Sequence, residues 1–172
     1  MRFGDFLKAT VLLSAGSATL LATLAVLGIT REDDRVVIYV TAGWWVAATA
    51  IGVAMGARST ASPAIARLLA DARAQASLPE LHPGSTMVNR LWPLLLATVG
   101  SGAAAFVEPQ VASVAAGFTI IWALAWRRQE RAVLAIEERD GVRFYVDKTS
   151  PFSPIRLIRT PGFGGEYLAR GA

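Results

Sequence analysis

Apolar residues in this chain fall into four long blocks separated by charged segments. The first two uncharged runs extend from Ala9 to Ile29 and from Val36 to Ala57, which is 21 and 22 residues. At about 1.5 Å per residue, a helix of either length covers the roughly 30 Å hydrocarbon core of a bilayer. The other two runs, Leu91 to Val107 and Val111 to Trp126, are shorter, at 17 and 16 residues. The pattern predicts four transmembrane helices arranged as two hairpins.

Charge and proline predict the turns of the two hairpins. Residues 31–35 (REDDR) form a short polar connection between the first two spans, and Glu108, Pro109 and Gln110 separate the last two. Proline lacks an N–H and clashes with the preceding helical turn, which favours a tight turn over one bent helix. A secretory signal peptide is the alternative for the first block, but its apolar core should be only about 7–15 residues long. The long run therefore favours a retained membrane anchor.

Arginine and lysine are distributed unevenly between the two ends of the predicted spans. Fifteen of the seventeen lie before the first span, in segment 58–90 or after the last span, whereas Arg31 and Arg35 lie in the other connections. Cytoplasmic loops are enriched in these residues, so we expect both termini and the middle segment in the cytoplasm. Trp92 and Trp126 then lie at the cytoplasmic interface, where aromatic rings are enriched. The sequence predicts a multi-pass protein of the cell (plasma) membrane.

The fold class predicted is an all-α integral membrane protein with a small C-terminal tail that resembles a β-hairpin. Its four parts are the first transmembrane hairpin (1–57), a cytoplasmic loop with an amphipathic helix (58–90), the second hairpin (91–126) and a basic cytoplasmic tail (127–172). Similar stretches in the two hairpins are compatible with a duplicated two-helix unit, arranged as parallel repeats, and also with chance matches in an Ala- and Gly-rich sequence.

Small residues indicate how the spans associate. Helices in lipid pack through close backbone approach at small residues, because lipid is as apolar as leucine. The residues predicted to pack are Ala48, Gly52, Gly56, Gly100 and Gly102. Such faces serve either packing within the chain or association with another subunit. Trp44 and Trp45 lie about two turns inside the second span, where they pack, contact lipid or stack on a ligand.

The middle segment contains a short predicted helix. Ser62 is a favoured N-cap residue, and Pro63 fits the first helical position, where its missing N–H costs nothing. An apolar stripe at helical spacing follows, and such a stripe beside basic residues is typical of a helix lying on a membrane surface. The stripe consists of Ile65, Leu68, Leu69, Ala72 and Ala76.

The tail begins as a continuation of the fourth span and then changes period. No helix breaker precedes Gly141, so we expect one continuous helix that ends there. Glu137, Glu138 and Asp140 alternate with arginine near that end, which predicts a solvated charged face. Residues 142–147 (VRFYVD) alternate with a period of two, and 155–160 (IRLIRT) is a second strand candidate. Two strands alone are marginal in water, so we expect a third partner from the membrane surface, another protein or another copy.

Composition supports the membrane class and limits the chemistry. The chain is 53% hydrophobic and 17% charged, against about 25% charged in soluble domains. It has no cysteine, and the predicted spans contain no ionisable residue in their interiors. Thiolate metal sites and transport through an intramembrane carboxylate are thereby disfavoured. The excess of arginine over lysine and the abundance of alanine suggest a bacterial source.

The function predicted is a non-enzymatic interaction or assembly role in the membrane, with an oligomeric pore or small transporter as the alternative. Membrane lipids, a protein partner or a second copy are the expected partners, and nucleic acid is not. No catalytic, cofactor-binding or metal-binding residue is predicted. The candidate contacts with lipid headgroups or a partner are Arg127, Arg128, Arg131, Arg143, Phe144, Tyr145, Arg156 and Arg159.

Overall fold

The computed structural model describes the chain as two compact units. The described residues are 1–32, 35–57, 60–75, 83–147 and 154–161. One unit, here called the helical unit, comprises residues 9–57 and 91–127. The other, called the sheet unit, comprises 1–8, 58–90 and 128–172. Each unit is assembled from segments that are far apart in the sequence.

Six helices form most of the described chain. They are α1 (Phe3–Glu32), α2 (Arg35–Met55), α3 (Pro63–Ala70), α4 (Pro83–Ala104), α5 (Pro109–Trp126) and α6 (Gln129–Asp140). In the described residues, three helical stretches are long and apolar enough to cross a membrane: Phe3–Thr30, Arg35–Met55 and Pro109–Asp140. Helix α4 is not among them, since its first half contains Asn89, Arg90 and Pro93. The protein therefore has the helices of a membrane protein, with three spans supported by length and composition.

The turn between α4 and α5 lies where the sequence predicts one. Helix α4 ends at Ala104, residues 105–107 form a turn, and α5 begins at Pro109. Proline at the first helical position loses no hydrogen bond, because the N–H groups of the first turn have no partner inside the helix. Two separate helices, and not one bent helix, are confirmed here.

The core of the helical unit consists mainly of small and aliphatic side chains. Leu21, Ala25 and Ile29 of α1 are buried together with Ala112 and Ala116 of α5. Helices α1 and α4 are also joined by a polar contact, in which Thr98 Oγ1 donates to Ser17 Oγ over 2.9 Å. Small residues permit such close packing of helices where no hydrophobic driving force exists between them.

Helix α3 confirms the predicted N-cap but is shorter than predicted. The Ser62 hydroxyl accepts a hydrogen bond from the Ile65 N–H at 3.4 Å. The helix ends at Ala70, with Asp71 as its C-cap, so Ala72 lies beyond it; Ala76 lies outside the described residues. Ile65 and Leu69 are only 1% and 8% exposed. The apolar stripe is therefore covered by the protein itself and is not open to a membrane surface.

The predicted continuation of the fourth span into the tail is confirmed in part, because Pro109–Asp140 is one helical stretch, but a short turn at Arg127 and Arg128 divides it into two helices. Helix α5 ends at Trp126, a turn at Arg127 and Arg128 follows, and α6 begins at Gln129. The break has no proline or glycine, and α6 buries Ala132, Val133 and other side chains within the sheet unit. Gly141 terminates α6 as predicted, with φ 60° and its N–H bonded to the carbonyl of Glu137. That left-handed conformation favours glycine.

The sheet has more strands than the sequence predicts. Its strands are β1 (Arg73–Ala74), β2 (Val142–Val146) and β3 (Leu157–Pro161), in the order β1-β3-β2. Strands β2 and β3 are antiparallel, whereas β1 is parallel to β3. On the other side of β2, Arg2 forms an antiparallel bridge with Tyr145.

The chain itself therefore supplies the partners that a two-stranded hairpin lacks. The Val146 N–H donates to the carbonyl of Met1 over 3.0 Å, and Gln75 N–H donates to the carbonyl of Arg159 over 3.0 Å. The predicted need of the hairpin for a further partner is met within the chain, since the first residues and the segment after α3 flank it. Residues 148–153, predicted as its loop, lie outside the described residues.

Candidate functional site

The exposed arginines of the tail form the surface that the sequence singles out for binding. Arg127 and Arg128 occupy the turn between α5 and α6, and Arg131 lies in the first turn of α6. All three side chains are exposed. They follow directly on α5, which has no charged residue between Pro109 and Trp126. We call these three residues the arginine cluster.

The other predicted arginines do not join into one patch. Arg143 is on β2 and Arg159 on β3, and both are exposed. The register pairs Phe144 with Arg159 and Arg143 with Thr160. Directly opposed residues share a face of an antiparallel sheet and successive residues alternate, so Arg143 and Arg159 lie on opposite faces. Arg156 is exposed just before β3.

Phe144 and Tyr145 are buried and are not on the surface. They are 3% and 7% exposed. The alternation of β2 places Phe144 on the sheltered face, as predicted, but Tyr145 is also covered. Tyr145 forms a bridge with Arg2 at the edge of the sheet. Neither side chain is available as a contact for a lipid or a partner protein.

Glu137 is a buried carboxylate whose structural role the sequence does not predict. It is 6% exposed and lies 3.1 Å from Arg2 through its Oε2 atom. Its Oε1 atom accepts the Phe144 N–H at 2.9 Å. The prediction of a solvated face is wrong for this residue, whereas Glu138 and Asp140 are exposed. The available signal was its spacing of four from Val133, which places both on the buried side of α6.

Two further polar groups are held within the sheet unit. The Ser62 N–H donates to Gln129 Oε1 over 2.8 Å, and Gln129 is only 5% exposed. Burial lowers the pKa of the Arg90 guanidinium, and the nearby Asp147 carboxylate opposes this effect. The hydrogen bond between Ser62 and Gln129 joins the N-terminus of α3 to the start of α6. In the part of the chain that the structure describes, no group of three His, Cys, Asp or Glu residues is placed to hold a metal.

The tryptophan pair of α2 packs against α5. Trp44 Nε1 donates to the carbonyl of Val114 over 3.2 Å, and Trp45 Nε1 donates to that of Ser113 over 3.0 Å. Trp44 also meets Phe118 edge to face, with ring centroids 5.4 Å apart. Of the alternatives for these two residues, packing within the chain is the one the contacts support. Indole N–H groups generally find an acceptor when buried.

The five small residues predicted to pack take different positions. Ala48, Gly52 and Gly56 are buried on one side of α2. A Cβ built on Gly52 would lie 2.8 Å from Leu124 Cβ, and one on Gly56 would collide with the carbonyl oxygen of Leu124. A Cβ built on Gly102 would approach only Leu24, at 3.6 Å, and one built on Gly100 would have no neighbour within 4 Å. The α2 stripe packs within the chain, whereas Gly100 is open.

Comparisons with protein-family models, with curated proteins and with solved structures found no match for this chain.

Proposed function

We propose that this chain is a four-span protein of the cell membrane whose arginine cluster binds anionic lipid headgroups on the cytoplasmic side. Both termini and segment 58–90 are cytoplasmic in this proposal, as the distribution of arginine indicates. The observation that supports it best is the exposure of Arg127, Arg128 and Arg131 immediately after the uncharged α5. Basic residues at an anionic membrane surface contribute about 1 kcal/mol each. The role is one of binding and assembly and not of catalysis.

The fourth span in this proposal is α4. A connection of four residues joins it to α5, and helices with so short a connection are antiparallel neighbours. If α5 crosses the bilayer, α4 has to return alongside it. Its contact with α1 through Thr98 and Ser17 places α4 within the same bundle. A reporter fused after Ala172 is expected on the cytoplasmic side, and an extracytoplasmic reporter would overturn the orientation.

The lipid proposal is tested with a triple variant in nanodiscs. Arg127→Gln, Arg128→Gln and Arg131→Gln are combined, and binding of phosphatidylglycerol relative to phosphatidylcholine is measured by native mass spectrometry. At about 1 kcal/mol per residue, the preference should fall by about two orders of magnitude. The matched control removes three exposed arginines away from the cluster: Arg67, Arg73 and Arg143. An equal loss in both triple variants, or no loss in the first, would overturn the proposal.

An oligomeric pore or small transporter is the second candidate. It is supported by the open position of Gly100, since a second copy can approach a helix closely at such a residue. Flux through proteoliposomes together with an oligomer in detergent would support this candidate. A monomer without flux would exclude it. The lipid proposal has the stronger support because three exposed arginines follow the uncharged helix α5 within five residues of the chain.

A further inference from the structure

The turn between α4 and α5 exposes two bulky apolar side chains side by side. Phe106 and Val107 are 85% and 88% exposed, higher than any other large hydrophobic residue in the described chain. An apolar pair at the tip of a turn is unfavourable in water, at about 25 cal/mol for each Å² of apolar surface. Some apolar environment is therefore required at this end of the helical unit.

The α4–α5 turn lies beside apolar residues of α1. Gly102 lies just before the turn, and a Cβ built on it would be 3.6 Å from the side chain of Leu24. Pro109 lies just after the turn, and its ring occupies the space that a Cβ on Gly28 would need. Leu24 and Gly28 belong to the uncharged run that is predicted to cross the bilayer. Helix α1 continues from Gly28 to Glu32, a further rise of about 6 Å. The second hairpin thus ends about one helical turn short of the first.

The helix lengths agree with this difference. The apolar part of α4, from Leu91 to Ala104, extends about 21 Å, whereas the run from Ala9 to Ile29 extends about 31 Å. A hydrophobic helix shorter than the hydrocarbon core is accommodated by local thinning of the bilayer, by snorkelling of flanking residues or by oligomerisation. A hollow of about 260 Å³ lies between the turn and Leu24, Leu27 and Gly28.

The N–H groups of the turn all have partners within the chain. Polar backbone groups within a bilayer need internal partners because no water is present. The N–H groups of Ala105, Phe106, Val107 and Glu108 all donate to carbonyls of α4, over 2.9 to 3.3 Å. Pro109 has no N–H to satisfy.

We propose that the α4–α5 turn is a lipid-contacting element, in which Phe106 and Val107 insert below the surface of the leaflet opposite the arginine cluster. Their partner is the acyl and glycerol region of a membrane lipid. Glu108, which is exposed and precedes α5, keeps its carboxylate among the headgroups and limits the depth of insertion. The inference rests on the membrane placement proposed above, but not on the arginine cluster or on the orientation of the protein.

Depth-dependent fluorescence quenching tests this inference. The chain has no cysteine, so single cysteines can be introduced without removing any and labelled with an environment-sensitive dye. The test positions are Phe106→Cys and Val107→Cys. Val46→Cys, an exposed position in the middle of α2, is the lipid control, and Arg35→Cys, exposed at the start of α2, is the aqueous control. Each labelled protein is reconstituted in vesicles and quenched with iodide or with nitroxide-labelled lipid.

The expected result is that labels at 106 and 107 are quenched by nitroxide lipid as strongly as the label at 46, and by iodide several-fold less than the label at 35. Iodide quenching equal to that at 35 would show an aqueous turn and overturn the inference. Shielding from both quenchers would show cover by a second copy and would also overturn it. Iodide access at position 46 would instead refute the membrane placement, so the two failures are distinguishable.

Discussion

Arg2 and Glu137 form a partly buried ion pair that joins the first residues of the chain to α6, with Arg2 Nη2 and Glu137 Oε2 3.1 Å apart. The carboxylate also accepts the Phe144 N–H at 2.9 Å. Glu137 therefore connects the N-terminus, α6 and β2, three segments that are distant in sequence. Loss of one partner leaves the others with unsatisfied polar groups in a site where water has little access.

Replacing Glu137 should destabilise the sheet unit according to how many hydrogen bonds each replacement removes. Glu137→Ala removes the acceptors for both Arg2 and Phe144, and we expect a cost of about 1–3 kcal/mol. Glu137→Gln retains an oxygen for the Phe144 N–H, so its cost should be smaller. Glu138→Ala, at an exposed neighbour, is the control. Denaturant unfolding in detergent measures the order, and equal effects of the three variants would contradict the assigned role.

Gln129 should be required as a hydrogen-bond acceptor and not as a space-filling residue. Gln129→Leu leaves the Ser62 N–H without its partner at the start of α3, which is expected to cost about 1–3 kcal/mol. Gln129→Glu keeps an acceptor oxygen of the same reach and should retain α3 better. Protection of the Ser62 amide in hydrogen exchange reports on this contact. Equal loss of protection in both variants would refute the acceptor role.

Gly56 should tolerate no side chain. A Cβ there collides with the Leu124 carbonyl, which is backbone and cannot turn aside, so Gly56→Ala should separate α2 from α5 at a cost of about 1–3 kcal/mol. In Gly43→Ala, within α2, the added Cβ meets nothing within 4 Å, and this variant is the control. Thermal unfolding in detergent compares the two, and similar transition temperatures would argue against this packing.

Trp45 should contribute a measurable hydrogen bond to the α2–α5 contact. Trp45→Phe removes the donor to the Ser113 carbonyl while keeping an aromatic ring, and such bonds in membrane proteins average about 0.6 kcal/mol. The change in unfolding free energy is measured against Trp122→Phe, at an exposed tryptophan of α5. A change no larger than that of the control would mean that Trp45 acts through packing alone.

Stability should rise with pH as the α-amino group of Met1 deprotonates. Burial lowers the pKa of this amine below its ordinary value of 8.0, and the Asp5 carboxylate opposes the effect. Between the folded and unfolded pKa values, the unfolded chain binds more protons, so the free energy of unfolding increases with pH up to about 8 and is level above. In the protein with an acetylated N-terminus this amine does not titrate, so the free energy of unfolding should not rise with pH for this reason. Parallel pH profiles for the free and acetylated chains would contradict the burial of the amine.

Much of the helical unit could be predicted from the pattern of apolar residues. The runs beginning at Ala9 and Val36 matched helices α1 and α2, because about twenty uncharged residues leave few other structures available. The turn at Pro109 and the caps at Ser62 and Gly141 were also predictable, since each depends on the local chemistry of one residue.

The sheet unit was not predictable to the same degree. No local pattern marks Arg73 and Ala74 as a strand, and they become one only because β3 offers them a parallel edge. The break after Trp126 likewise has no breaker residue, and it accompanies the packing of α6 side chains such as Val133.

By itself, the sequence determined where the chain is apolar, where single residues cap helices or make turns, and where positive charge accumulates. The tertiary structure alone decided that Met1 and Arg2 flank β2, that Glu137 is buried and that Arg143 and Arg159 face apart. The physical reason is that helix propensity, capping and hydropathy act over a few residues. Strand pairing and ion pairing instead depend on which distant segments meet, and here they join positions as far apart as 2 and 145.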